Sequence, residues 1–296
     1  MDATLFCFGL GYSALAFARQ LQGVGWRVAG TCRNPAGVAA FAAAGIEALP
    51  FERDRPLADA ARRLAEADAV LSSVPPDAAG DPVLECHAAD LANAAAGGRL
   101  RWAGYLSTTG VYGDRGGGWV DESSALRPTG ERGRRRVAAE EGWLELWRRH
   151  RLPVHLFRLA GIYGPGRNAL VSLREGSAKR VIKPGQVFSR IHVDDIAAVL
   201  AASLARPNPG AAYNVADDDP APPSEVIEEA ARLLGVPPPP AVPFEAAALS
   251  PMARSFYDDN KRTANRRIKE ELGVALRYPD YRAGLAALAA AGEGAA

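Results

Sequence analysis

Apolar positions come in short runs, each followed by a stretch of helical period. Thr4–Phe8 is apolar and ends at Gly9-Leu10-Gly11, and a helical pattern follows through Leu21. Residues 26–31 form a second apolar run, 36–44 a second helical stretch, and 46–50 a weak third strand. A helix is expected over 57–67, and a compact strand over 69–74 is stopped by Pro75-Pro76. Amphipathic Pro82–Ala96 leads to a strand at 102–107, a Gly-rich loop at 113–119 and a long basic helix at 132–150. Val154–Leu159, residues 190–193 with a helix over 195–204, and Ala212–Val215 complete the alternation. Strands alternating with helices predict an α/β fold, a Rossmann-type doubly wound parallel sheet with helices on both faces. Prolines at 220–223, 237–240 and 243 punctuate the C-terminal quarter of the chain, and 282–291 is an alanine-rich helix. The expected division is a dinucleotide-binding domain over 1–168, to which 187–216 returns. A smaller substrate lobe is expected from 169–186 and 217–296.

The first strand–helix junction carries candidate chemistry. Phe8-Gly9-Leu10-Gly11-Tyr12-Ser13-Ala14 matches Gly-x-Gly-x-x-Gly/Ala directly after a strand and opening a helix. Gly9 permits a tight turn, Gly11 lets backbone N–H groups approach a pyrophosphate, and Ala14 keeps helix and strand close. The helix N-terminus adds aligned donors and a positive dipole end. Gly9, Leu10, Gly11, Tyr12 and Ser13 are therefore the expected cradle, with Ser73 and Val74 beside it. The end of the second strand reads Thr31-Cys32-Arg33-Asn34, without the acid that holds the ribose 2′-hydroxyl of NAD. Thr31 and Arg33 thus point to NADP, whose 2′-phosphate suits a guanidinium; NAD stays possible.

Composition narrows the classes. Apolar residues make up 48% and charged residues 23% of 296, and the net charge is +1. That balance gives no reason to expect nucleic acid or an acidic membrane surface. Lys179, Lys183, Lys261 and Lys269 are the only lysines among 35 basic residues, so single arginines carry little information. Cys7, Cys32 and Cys86 have no metal or redox spacing, and no segment reaches a membrane span. A cytoplasmic protein with a small-molecule substrate and no metal is expected.

Four stretches in order resemble the extended short-chain dehydrogenase/reductase family, the NAD-dependent epimerase/dehydratase group. They are the Gly9 motif, Leu106-Ser-Thr-Thr-Gly-Val-Tyr-Gly113, Phe157-Arg-Leu-Ala-Gly-Ile-Tyr-Gly-Pro-Gly-Arg167 and Arg190-Ile-His-Val-Asp-Asp-Ile196, with Tyr213-Asn-Val215 fitting the last strand. The resemblance is closest to an atypical branch. It implies a cleft between the Rossmann domain and a small C-terminal domain, with Ser/Thr, Tyr and Lys running proton and hydride transfer. It also makes a homodimer possible. Thr108 falls at the Ser/Thr position. Relatives carry Tyr-x-x-x-Lys four and eight residues after a proline, with an acid four further on. Here Pro128 leads to Arg132, Arg136 and Glu140.

A guanidinium stays protonated, so Arg132 cannot act as the base a phenolate would be. Losing a placed general acid–base costs about 10²–10⁴ in rate. Arg136 can still bond a ribose or stabilise an anion, and an anion pocket near Arg132 and Arg136 is one reading of this basic run. Solvated arginines paired with Glu140, Glu141 and Glu145 are the other. Tyr112 and Tyr163 are candidate replacement phenols, and each also reads as a packing aromatic. Tyr163, Arg167 and His192 are the candidate substrate residues. Asp194 or Asp195 is expected to cap the helix after His192. The residues leave two functions open. One is an NAD(P)-dependent oxidoreductase or epimerase/dehydratase with an atypical site. The other is a non-catalytic NADP-binding regulatory or scaffold module.

Overall fold

A computed structural model describes residues 3–294. Its centre is a seven-stranded, all-parallel sheet. In chain order the first five strands are β1 (Thr4–Phe8), β2 (Arg27–Cys32), β3 (Glu47–Pro50), β4 (Ala69–Ser72) and β5 (Trp102–Thr108). Val154–Leu159 and Ala212–Val215 supply the other two. Across the sheet the order is Ala212–Val215, Val154–Leu159, β5, β4, β1, β2, β3. The direction of winding reverses between β1 and β4, which opens a crevice at their carboxyl ends.

Side-chain alternation along β1 explains why both faces need cover. Leu5 and Cys7 enter one core while Phe6 and Phe8 enter the other. Over the first face lie α1 (Tyr12–Gln22) and α7 (Val193–Ala205), which contribute Phe17, Ala18, Val199 and Leu200. The helix α2 (Pro35–Ala43) joins β2 to β3. The second face is covered by α3 (Ala60–Ala65), α4 (Pro82–Ala96) and α5 (Glu131–His150), through Leu64, Leu91 and Trp143. One carboxylate ties two of these helices together. Asp81 Oδ1 caps α4 by accepting the Val83 N–H at 2.8 Å, and its Oδ2 accepts the Trp143 indole N–H of α5 at 3.0 Å.

The helix expected over 57–67 is shorter than its apolar pattern. The Leu57 N–H donates to buried His87 Nε2 at 3.1 Å, and Asp59 sits at φ 55°, so helical geometry starts only at Ala60.

A smaller core joins α6 (Ala169–Arg174), α8 (Pro223–Leu234) and the Tyr281–Ala290 helix around Leu170, Ala230, Tyr281 and Leu285. Ile268, Leu272 and Val274 instead pack into the core beneath α7. Short parallel pairs stitch distant segments together: Gly161–Tyr163 with Arg190–His192, and Trp119–Val120 with Arg262–Thr263. Among the described residues no helix is long and apolar enough to cross a membrane. No described cluster of His, Cys, Asp and Glu could hold a metal ion.

Candidate functional site

The cradle begins where β1 ends. Gly9 has φ 84°, and a Cβ there would lie 2.8 Å from Ser73 Oγ and 3.2 Å from Val74 Cγ2. A side chain is thus excluded by conformation and by space. Around that turn the Gly9 N–H donates to Thr31 Oγ1 at 2.8 Å and Ser73 Oγ–H donates to the Gly9 carbonyl at 2.6 Å. The Leu10 N–H donates to the Thr31 carbonyl at 2.8 Å, while the Leu10 side chain is buried. Thr31, Ser73 and Leu10 therefore hold the turn in shape. Gly11 is the N-cap of α1, and no side chain caps the helix. The N–H groups of its first turn, Tyr12 to Ala14, face an N-terminus with no acidic residue. Main-chain N–H groups at an uncapped helix N-terminus of this kind can hold a diphosphate.

At the end of β2, Arg33 is exposed. Arg55 Nη2 donates to the Arg33 carbonyl at 3.3 Å, bringing a second guanidinium to the same edge. Above the cradle, the Tyr12 hydroxyl donates to the Pro165 carbonyl at 2.9 Å, and the Arg167 guanidinium stands 5.9 Å from the Tyr12 ring centre. Arg167 is thus brought to the cradle. Tyr163 and His192 pack together beneath that loop, edge to face at 5.2 Å, and both are buried. His192, and neither Asp194 nor Asp195, caps α7: its Nδ1 accepts the Asp194 N–H at 3.1 Å. Asp195 turns away to accept the Arg277 and Tyr278 N–H groups at 2.7 and 3.0 Å. Burial holds the His192 imidazole below its ordinary pKa, so at neutral pH it suits the acceptor role.

The second half of the cleft is organised by α5 against the end of β5. Thr108 Oγ1 accepts the Gly110 N–H at 3.1 Å and caps the short turn Thr109–Tyr112. A Cβ on Gly133 would lie 2.9 Å from the Gly110 carbonyl, so the first turn of α5 rests directly on that turn. Arg136 points into the sheet: its guanidinium donates to the Leu106 carbonyl and, at 3.3 Å, to the Tyr105 hydroxyl. Arg132 stays exposed, 5.2 Å above the ring of Phe256.

Tyr112 is not in the cleft. It is fully buried, donating to Asn214 Oδ1 at 2.7 Å and accepting from Arg158 Nη1 at 2.9 Å. Arg158 in turn forms a buried pair with Glu140 at 2.8 Å, and Glu140 accepts the Ser107 hydroxyl at 2.6 Å. Glu122 closes the chain from outside by accepting the Asn214 N–H at 2.7 Å. Burial pushes the Tyr112 phenol above its ordinary pKa, and both of its hydrogen-bonding functions are spent within the protein.

No family model matches the chain. A solved structure of a functionally unknown conserved protein from Silicibacter pomeroyi is 54% identical, with TM-score 0.89 over 99% of this chain and 100% of that one. Protein YeeZ of Escherichia coli K12 is 30% identical over 92% of this chain and 95% of its own length. The dTDP-glucose 4,6-dehydratase of Bacillus anthracis, solved in complex with NAD, shares the fold at 16% identity, TM-score 0.73, over 97% and 94% of the two chains. The chain is a relative of Protein YeeZ and shares the fold of solved NAD-dependent epimerases and dehydratases, that of the extended short-chain dehydrogenase/reductases.

Against the family whose motifs the sequence resembles, the departure lies at one helix. The family resemblance calls for Tyr and Lys at the positions of Arg132 and Arg136, and the two arginines diverge in space: one faces outward, the other inward. Two features here lie outside every motif of the sequence, Arg55 beside Arg33 and Phe256 under Arg132. The buried chain from Ser107 to Asn214 is built from motif residues, but the motifs do not show that they bond one another. Glu140 and Arg158 are visible as charges inside otherwise regular elements, and that is the available signal, since such groups are rarely buried unless paired.

Proposed function

We propose that this chain is a nicotinamide-dinucleotide enzyme of the oxidoreductase or epimerase/dehydratase type, acting on a small polar metabolite, with NADP as its preferred dinucleotide. The observation that carries the reading is the cradle: Gly9 at φ 84° against Ser73, opening onto an uncapped helix N-terminus. Main-chain donors there suit a diphosphate. The Bacillus anthracis dehydratase of the same fold carries NAD, which supports a nicotinamide cofactor. The preference for NADP rests on exposed Arg33 with Arg55 alongside, where an NAD site places an acid.

A bound nicotinamide would supply hydride transfer. The chain's own contribution is binding and polarisation. Thr108 uses its oxygen to accept from Gly110, which leaves its O–H free to donate to a substrate oxygen. Arg132 offers a permanent positive charge at the mouth of the cleft for negative charge on the substrate. Arg136 fixes α5 to β5 and so sets where Thr108 and Arg132 stand. With Tyr112 sealed in the interior, the proton comes from the Thr108 hydroxyl or from water.

The arginines at the family's Tyr and Lys positions favour a second reading, a non-catalytic NADP-binding regulatory or scaffold module. Calorimetric titration with NADP and NAD, followed by absorbance at the reduced-nicotinamide band with a pooled metabolite extract, separates the two. Cofactor-dependent turnover supports the enzyme. Tight NADP binding with no turnover in any pool supports the module, and no heat with either dinucleotide rejects both.

A further inference from the structure

The arginines of α5 are not equivalent, and the difference singles out one. Arg134 and Arg135 pair with Glu131 at 3.0 and 3.2 Å. Arg148 and Arg149 are engaged by Glu141 and Glu145. Arg136 is spent on the Leu106 carbonyl. Arg132 makes no ion pair and no hydrogen bond among the described residues, and its guanidinium stands 5.2 Å from the centre of the Phe256 ring. A guanidinium over a ring, with no hydrogen bond of its own, keeps its N–H donors available for a bidentate oxyanion.

The aromatic partner is itself unusual. Phe256 is 52% exposed and Met252, one helical turn before it, is 62% exposed. Two further cations line the same segment: Arg254 lies 4.8 Å and Lys183 5.0 Å from the centre of the Phe244 ring. The segment is also clasped across the cleft. Thr129 Oγ1 donates to Asp259 Oδ1 at 2.5 Å, the Asn260 N–H donates to Asp114 Oδ1 at 2.8 Å, and the Arg115 N–H donates to the Asn260 carbonyl at 2.9 Å. Phe256 is therefore held over the first turn of α5 before any ligand arrives, so little ordering is left for binding.

We infer that Arg132, Phe256 and Met252 form the substrate-recognition element of this cleft, taking the carboxylate or phosphate of a substrate with a planar or apolar body. Arg132 grips the oxyanion by its guanidinium edge. Phe256 and Met252 cover the body of the molecule. Gly133, beside Arg132, seats the first turn of α5 on Gly110, whose N–H is accepted by Thr108 Oγ1. The inference rests on the dinucleotide reading only in making this molecule the reacting substrate; the binding element stands on its own residues.

The test is a ligand-observed NMR titration of the chain, with and without saturating NADP, using benzoate, phenyl phosphate and neutral benzamide as probes. Benzoate or phenyl phosphate is expected to bind at least about tenfold more tightly than benzamide. R132Q should lose at least about tenfold for the anion, R132K less, and F256A about threefold or more. R134Q, altered at a neighbouring arginine already paired with Glu131, should bind as wild type. If benzoate binds without NADP having any affinity, the dinucleotide reading fails and this one holds. Equal anion affinity in wild type and R132Q overturns the inference, as does equal affinity for benzamide, or no anionic probe binding the wild type in either state. Should R132Q melt early, R132K and F256A decide in the same way.

Discussion

The two ends of the cleft reach their chemistry by opposite means. At the cradle, the proposed function rests on what is missing: no side chain on Gly9 or Gly11, no cap on α1, no acid after β2. At the α5 end, side chains are plentiful and mostly consumed. Glu140, Arg158, Tyr112, Asn214 and Ser107 satisfy one another in the interior, and Arg136 serves the sheet. A charged or phenolic residue at a suggestive position is available for chemistry only if the fold has not already used its hydrogen bonds. By that measure Arg132 and Thr108 are available, and Tyr112 is not.

Breaking the consumed network should have the largest effect. Arg158→Met leaves Glu140 buried without its counter-charge, and removing one partner of such a pair costs about 3–5 kcal/mol. Chemical denaturation should show that loss. Gly9→Val attacks the opposite end, where a branched side chain meets both positive φ and Ser73. NADP affinity should fall by about 100-fold or more in calorimetry, with the fold retained by circular dichroism.

A pH experiment sharpens the contrast at a third place. Burial pushes the Asp217 carboxyl up to about 8, against the pull of Arg190. Its folded pKa is thus above its unfolded value, so its contribution is fully present below the unfolded pKa and is lost as pH rises towards 8. Asp217→Asn should flatten the decline in stability between about pH 4 and 8. Thermal melts across that range measure it. Arg33→Asp should shift the NADP-to-NAD affinity ratio by about tenfold towards NAD. Smallest of all, Thr108→Val removes the acceptor for the Gly110 N–H and should cost about 1 kcal/mol of stability.

The cradle was legible in the sequence because it depends on local facts: glycines at fixed offsets, a strand before them and a helix after. The parallel sheet was legible for the same reason, since strands buried on both faces read as unbroken apolar runs. The fate of α5 was not. Arg132 and Arg136 are one helical turn apart and identical in type, so the sequence alone cannot tell them apart. What separates them is spatial: the Leu106 carbonyl at the end of β5 for one, and Phe256 from the far end of the chain for the other. Arg55 is 22 residues from Arg33, outside any motif. Tyr112 looked reachable because its loop resembles one that lines the family's cleft; Asn214 and Arg158, both on other strands, take its hydroxyl inward.

If main-chain amides at the β1–α1 junction hold a dinucleotide diphosphate, a crystal structure of the chain grown with NADP tests that most directly. Diphosphate oxygens should then lie within hydrogen-bonding distance of N–H groups between Gly11 and Ala14, with the 2′-phosphate beside Arg33 and Arg55. Crystals in which NADP is absent, or bound with its diphosphate away from that helix terminus, would contradict it.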